Sequence, residues 1–123
     1  MAEESKKGIH RKIEDLKSGC PPKHYNTDAY TLVNYETCGA KKIEFFLTEI
    51  HPGGYTDSDI HEGQEHAYFM LSGVAEAEVE GEKFILRPAE LLYIPPGASH
   101  KIKPIGGQTI RFCVFMAPGR SGK

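Results

Sequence analysis

Cysteine is scarce and scattered: Cys20, Cys38 and Cys113 are the whole set, and no CxxC pair occurs. An odd, widely spaced set argues against a disulfide framework or a zinc knot. It reads as reduced thiols packed as small apolar side chains in a cytoplasmic protein. Long hydrophobic runs are missing too; none reaches ten residues, so no segment is expected to span a bilayer. The N-terminal stretch MAEESKKGIHRKIEDLKSG has neither an apolar core nor a small-residue cleavage site, and is not expected to act as a secretory signal. Charge of one sign is lacking as well, the balance being −2 at neutral pH. No basic excess favours nucleic acid, and no acidic block favours a disordered tail.

What is present suits one soluble domain. At 123 residues, 39% of them hydrophobic, the chain can bury about two-thirds of its unfolded surface in a single core. Ile9, Ile13 and Leu16 fall at helical spacing, so residues 8–17 are either a short amphipathic helix or a frayed charged arm. Gly19, Pro21 and Pro22 end that segment. From Thr31 the period becomes two. VNYETCGAKKIEFFLTEI reads as two strands around Cys38-Gly39-Ala40, closed by His51-Pro52-Gly53-Gly54. AYFMLSG is a buried strand. VAEAEVEGEKFIL is a hairpin turning at Gly81, with Ala75, Ala77 and Val79 on one face and Glu76, Glu78 and Glu80 on a solvated one. ELLYIPPG, His100–Lys103 and Thr109–Phe115 supply three more strands. Strands at eight- to twelve-residue spacing without intervening helices predict an antiparallel sandwich or barrel. The expected organisation is an arm over 1–30 able to contact a second copy, a β-barrel domain over 31–118, and a disordered tail over 119–123.

One stretch carries most of the chemistry. DSDIHEGQEHAYFMLSG places Asp59, His61 and His66 within eight residues, just before a strand. The rigid turn PPGASH brings His100 to the start of another. In a strand Asp59 and His61 share a face. Three imidazoles and a carboxylate on stiff elements at one barrel end match the ligands of a mononuclear divalent ion. The competing reading is a set of polar residues on a solvated turn. HEGQEH is not the zinc helix HExxH: its histidines are five apart and Gly63 lies between them.

The two stretches together resemble the paired motifs of the cupin superfamily. In PGGYTDSDIHEGQEHAYFMLSG, counting back from Gly73, His66 stands at the usual Glu position, His61 at the second His and Asp59 at the first. In AELLYIPPGASH, Pro95, Gly97 and His100 match the second motif, with Ala89 where glycine is usual. The resemblance covers roughly residues 40–116. It implies an all-β fold, an antiparallel double-stranded β-helix or jelly-roll barrel. It also implies one divalent transition metal ion, iron, manganese, zinc or nickel, on Asp59, His61, His66 and His100. Asp59 and His66 exchange a carboxylate and an imidazole between two positions, so the ligand total is kept; the short Asp59 side chain is the weakest member of the set. Small cupins commonly pair through N-terminal strands, which makes a homodimer the expected state.

The remaining candidates are weighed against plainer roles. Glu65, Tyr68, Tyr93 and Arg111 are candidate catalytic groups. For Glu65 the plain reading is an exposed turn residue; for Tyr68 and Tyr93, as for Met70 and Phe115, it is barrel filling; for Arg111 it is an outward charge. His51 reads as a turn residue or a contributor to the pocket mouth, and His10 and His24 as solvated. No Ser-His-Asp or Cys-His arrangement offers covalent catalysis. The resemblance implies a metal-dependent dioxygenase, isomerase or lyase acting on a small organic substrate. The alternative is a non-catalytic module that binds or senses a sugar or organic acid. No DNA-reading helix pair accompanies the barrel.

Overall fold

The computed structural model describes residues 6–119; apart from Gly119, the expected tail lies outside the described residues. A single 3₁₀ turn at Ile13–Asp15 is all the helix that residues 8–17 form. Ile9 and Ile13 remain exposed, so the apolar stripe has nothing to pack on. The strands are β1 (Ser18–Gly19), β2 (His24–Val33), β3 (Glu44–Thr56), β4 (Glu65–Ser72), β5 (Val74–Val79), β6 (Glu82–Leu86), β7 (Leu91–Ile94), β8 (His100–Ile105) and β9 (Ile110–Ala117); a helical turn, α1 (Tyr35–Cys38), follows β2. They form two antiparallel sheets, one in the order β1-β2-β3-β9-β4-β7 and one in the order β6-β5-β8.

Alternation fixes what faces inward. Tyr68 and Met70 on β4 sit opposite Val114 and Phe112 on β9, and Ala77 on β5 sits opposite Ile102 on β8. With Ile50, Ala75, Leu86, Leu92, Ile94, Ile110 and Met116 they make one buried cluster between the sheets. The small Ala75 and Ala77 let the walls approach. At Gly73 the tight β4–β5 turn has φ +79°, and an added Cβ would lie 2.5 Å from the Thr109 carbonyl oxygen. Only glycine fits both constraints.

Three segments depart from the sequence expectation. The regular sheet begins upstream of Thr31: β1 pairs with β2, and β2 runs from His24. The NYETC stretch after Val33 is not a strand. Asn34 caps α1 by accepting the Thr37 N–H while the Thr37 hydroxyl meets the Asn34 N–H, and Gly39 ends the turn in the left-handed region. Finally, Pro52-Gly53-Gly54 does not close β3. The register jumps from Ile50↔Thr27 to Tyr55↔Tyr25, so residues 51–54 bulge opposite Asn26 and the strand resumes. The bulge accommodates a proline that cannot donate to the ladder.

Candidate metal centre

His66 lies on β4, opposite Ile94 of β7 and Met116 of β9, and is 3% exposed. His100 opens β8 and is 7% exposed. His61 sits on the β3–β4 connection. Two devices hold that connection against the PPGASH turn: Asp59 and His100 exchange both backbone hydrogen bonds at 3.0 Å, and the Gly97 N–H donates to the His61 carbonyl at 3.1 Å. The hairpin tip adds a third. Glu80 N–H donates to the Ser99 carbonyl at 2.9 Å, and Ser99 N–H donates to the Glu80 carboxylate at 2.7 Å. That last bond places the Glu80 carboxyl below its ordinary range. So Glu80, at the end of the Glu face, also steadies the start of the His100 strand.

The three rings converge, with centroids 4.5 Å apart for His61 and His66 and 5.3 Å for the other two pairs. Each offers one nitrogen, and these donor atoms all lie within 4.8 Å of one another. His100 Nδ1 donates to the Ala98 carbonyl at 3.1 Å, which leaves its Nε2 lone pair available, as metal-binding imidazoles require. The group suits one divalent transition ion. Asp59 stands beside the triplet rather than in it: Oδ2 is 3.3 Å from His61 Nε2, while Oδ1 meets Lys23 Nζ at 3.2 Å and the Ile60 N–H at 2.9 Å. Burial opposes ionisation of Asp59, but the Ile60 N–H, Lys23 and His61 outweigh it and hold the carboxyl below its ordinary range.

The histidines line a cavity of about 100 Å³ whose walls include Phe46, Ile102, Phe112, Val114 and Met116. Tyr68 also lines it, its ring edge-on to His100 with centroids 6.4 Å apart. Burial raises the Tyr68 phenol well above its ordinary value, so at neutral pH it is a hydrogen-bond donor.

The other proposed catalytic groups lie elsewhere. Glu65 accepts the Tyr93 hydroxyl at 2.6 Å on the outer face of the larger sheet, and Tyr93 and Phe115 are exposed there rather than filling the barrel. Arg111 shares that outer face and donates to Glu49 at 3.1 Å. His51 is not at the mouth: it bridges Thr109 and Asp28, at 3.1 and 2.8 Å. Lys23, His24, Thr48, Thr56 and Asp57, by contrast, do line the cavity, and sequence reasoning missed them. His24 and Lys23 arrive through the pairing of His24 with Thr56, a contact that local spacing does not encode.

A family profile for the cupin domain matches residues 46–116. The chain is a cupin. It is 26% identical over 107 residues to "Polyketide synthase CurC" of Streptomyces cyaneus, spanning 87% of this chain and 70% of that one. Among solved structures, the polyketide cyclase RemF of Streptomyces resistomycificus is 29% identical, with a TM-score of 0.76 over 93% of this cupin and 80% of RemF. A predicted oxalate decarboxylase from Thermotoga maritima superposes with a TM-score of 0.79 over 89% and 99% of the two chains, at 17% identity; that likeness speaks for the fold alone. Among the described residues, no helix is long and apolar enough to cross a membrane.

Proposed function

We propose that this cupin is a metal-dependent enzyme that activates a small organic carbonyl compound for proton transfer or ring closure. The observation that carries the reading is the convergence of three imidazoles in a cavity that also has an apolar wall of Phe46, Ile102, Phe112, Val114 and Met116. A divalent ion held by His61, His66 and His100 would supply polarisation of a carbonyl oxygen, and the proton leaving the α-carbon would pass to Asp57 or His24 on the cavity wall. The chain's own residues do the rest. Phe46, Phe112, Val114 and Met116 form an apolar wall against which a small apolar group packs. Tyr68, kept protonated, donates to a substrate oxygen. The polyketide names of CurC and RemF agree with a carbonyl-rich substrate whose reacting end enters while the remainder lies at the mouth.

The test is proton exchange at the α-carbon of an aryl β-keto ester in D₂O, followed by NMR, with enzyme reloaded separately with zinc, manganese, iron, nickel or cobalt. Faster exchange with at least one ion, lost in His61→Ala, is the expected result. No acceleration with any ion overturns the proposal, and tight binding without exchange would make the protein a binding module.

We infer also that two copies associate through the outer face of the larger sheet. Phe69, Leu71, Leu91, Tyr93 and Phe115 are each 40–67% exposed, together roughly 400–500 Å² by ordinary side-chain areas. Outward positions on the smaller sheet carry ion pairs, Glu76 with Lys83 and Glu78 with Lys101, and expose fewer large apolar side chains. An apolar patch bordered by Glu65 and the Arg111–Glu49 pair can meet its own copy about a twofold axis. With a polar rim it approaches the roughly 800 Å² per partner of a standard interface.

A further inference from the structure

Lys23 lies well outside the matched cupin span, yet it reaches the centre. Its backbone is left-handed, φ +63°, an uncommon conformation for lysine. Its carbonyl accepts the Asp57 N–H at 2.8 Å, which ties the β2 start to the segment carrying Asp59. Its ammonium lies 3.2 Å from Asp59 Oδ1, the same oxygen that accepts the Ile60 N–H. Two donors on one oxygen fix the carboxylate's rotation, and leave Oδ2 turned toward His61 Nε2 at 3.3 Å.

We propose that Lys23 withholds Asp59 from the metal, so that His61, His66 and His100 alone hold the ion and Asp59 acts as a positioning residue beside His61. Resting on the three-histidine reading above, this defines what sets the coordination number there. The ammonium and the ion compete for one carboxylate. While the ammonium wins, the ion keeps a neutral donor set and open positions for substrate; without it, Asp59 is free to swing inward, add a negative ligand and occupy one of those positions. The plainer alternative is an exposed ion pair of no consequence, since such pairs contribute little to stability. The two readings differ in what the ion experiences, not in whether the barrel folds.

The probe is cobalt(II), whose visible absorption is strong in four-coordinate sites and weak at higher coordination. The apoprotein, Lys23→Met, Lys23→Arg, Asp59→Asn and the Lys23→Met/Asp59→Asn double variant are titrated with cobalt, circular dichroism confirming that each is folded. Lys23→Met is expected to bind cobalt about tenfold more tightly, with weakened visible bands. Lys23→Arg, which keeps the charge, and the double variant, which has no carboxylate to add, are expected to retain the parent spectrum. A Lys23→Met protein with unchanged or weaker affinity and an unchanged spectrum overturns the proposal while leaving the three-histidine centre standing. Failure of the parent protein and every variant to bind cobalt overturns the metal reading, and this inference with it.

Discussion

At the scale of single residues, the centre divides into groups that hold and groups that orient. His61→Ala and His100→Ala are expected to lose at least nine-tenths of bound metal in the presence of a competing chelator, since each removes one of three donors. Asp59→Asn, which alters a neighbour of the triplet, is expected to lose less. Elemental analysis of the purified variants decides both, and equal loss in all three would place Asp59 among the ligands. The histidines were legible in the sequence because each falls at a fixed offset from a turn glycine, Gly73 or Gly97. Lys23 and His24 were not, because nothing within ten residues of them points to a cavity. Arg111 shows a different limit. Parity correctly put it on one face with Cys113 and Phe115, but both faces of β9 are apolar, so alternation could not say which one looks inward.

At the scale of elements, the hairpin and the turns specify themselves locally, whereas the long edge of the larger sheet does not. VAEAEVEGEKFIL turns at Gly81 as its alternation requires, with Glu80 and Gly81 both at positive φ. The 51–54 bulge, by contrast, carries every signal of a chain reversal, and only its pairing with β2 reveals that the strand continues. Two outcomes belong here. Gly73→Ala is expected to cost about 1–3 kcal/mol, because the new Cβ meets backbone and the φ is unfavourable; urea denaturation measures it. Glu80 stabilises the PPGASH turn as a carboxylate. Its folded pKa lies below the unfolded value, so the contribution is full above the ordinary glutamate range and is lost as pH falls through the folded value. Glu80→Gln is therefore expected to flatten the loss of stability between about pH 5 and 3, read from denaturation midpoints across that range.

At the scale of the whole molecule, the two sheets have unlike exteriors: the larger exposes Phe69, Leu71, Leu91, Tyr93 and Phe115 together, whereas the smaller carries Glu76 paired with Lys83 and Glu78 with Lys101. Beside the dimer expected through exchanged or packed N-terminal strands, we propose a contact elsewhere, through the apolar outer face of the larger sheet. If the apolar face joins two copies, Leu91→Asp with Phe115→Glu will sediment as a monomer at concentrations where the parent protein sediments as a dimer. Both positions are exposed, but Phe115 also stacks on Phe45, so circular dichroism accompanies the sedimentation. A parent protein that is monomeric at every accessible concentration would remove the interface. This patch was written in the sequence as ordinary strand hydrophobicity; recognising it needed the knowledge of which side of β4, β7 and β9 was already covered.

The histidines also belong to different parts of the barrel: His66 to the larger sheet, His100 to the smaller, and His61 to the segment that passes between them. A bound ion is thus a cross-link between the two walls, and opening the barrel must release it. Thermal stability should therefore climb with free metal concentration, by about 1.4 kcal/mol for each tenfold excess over the dissociation constant. A melting curve run against a panel of ions would rank the protein's metal preference before any substrate is known.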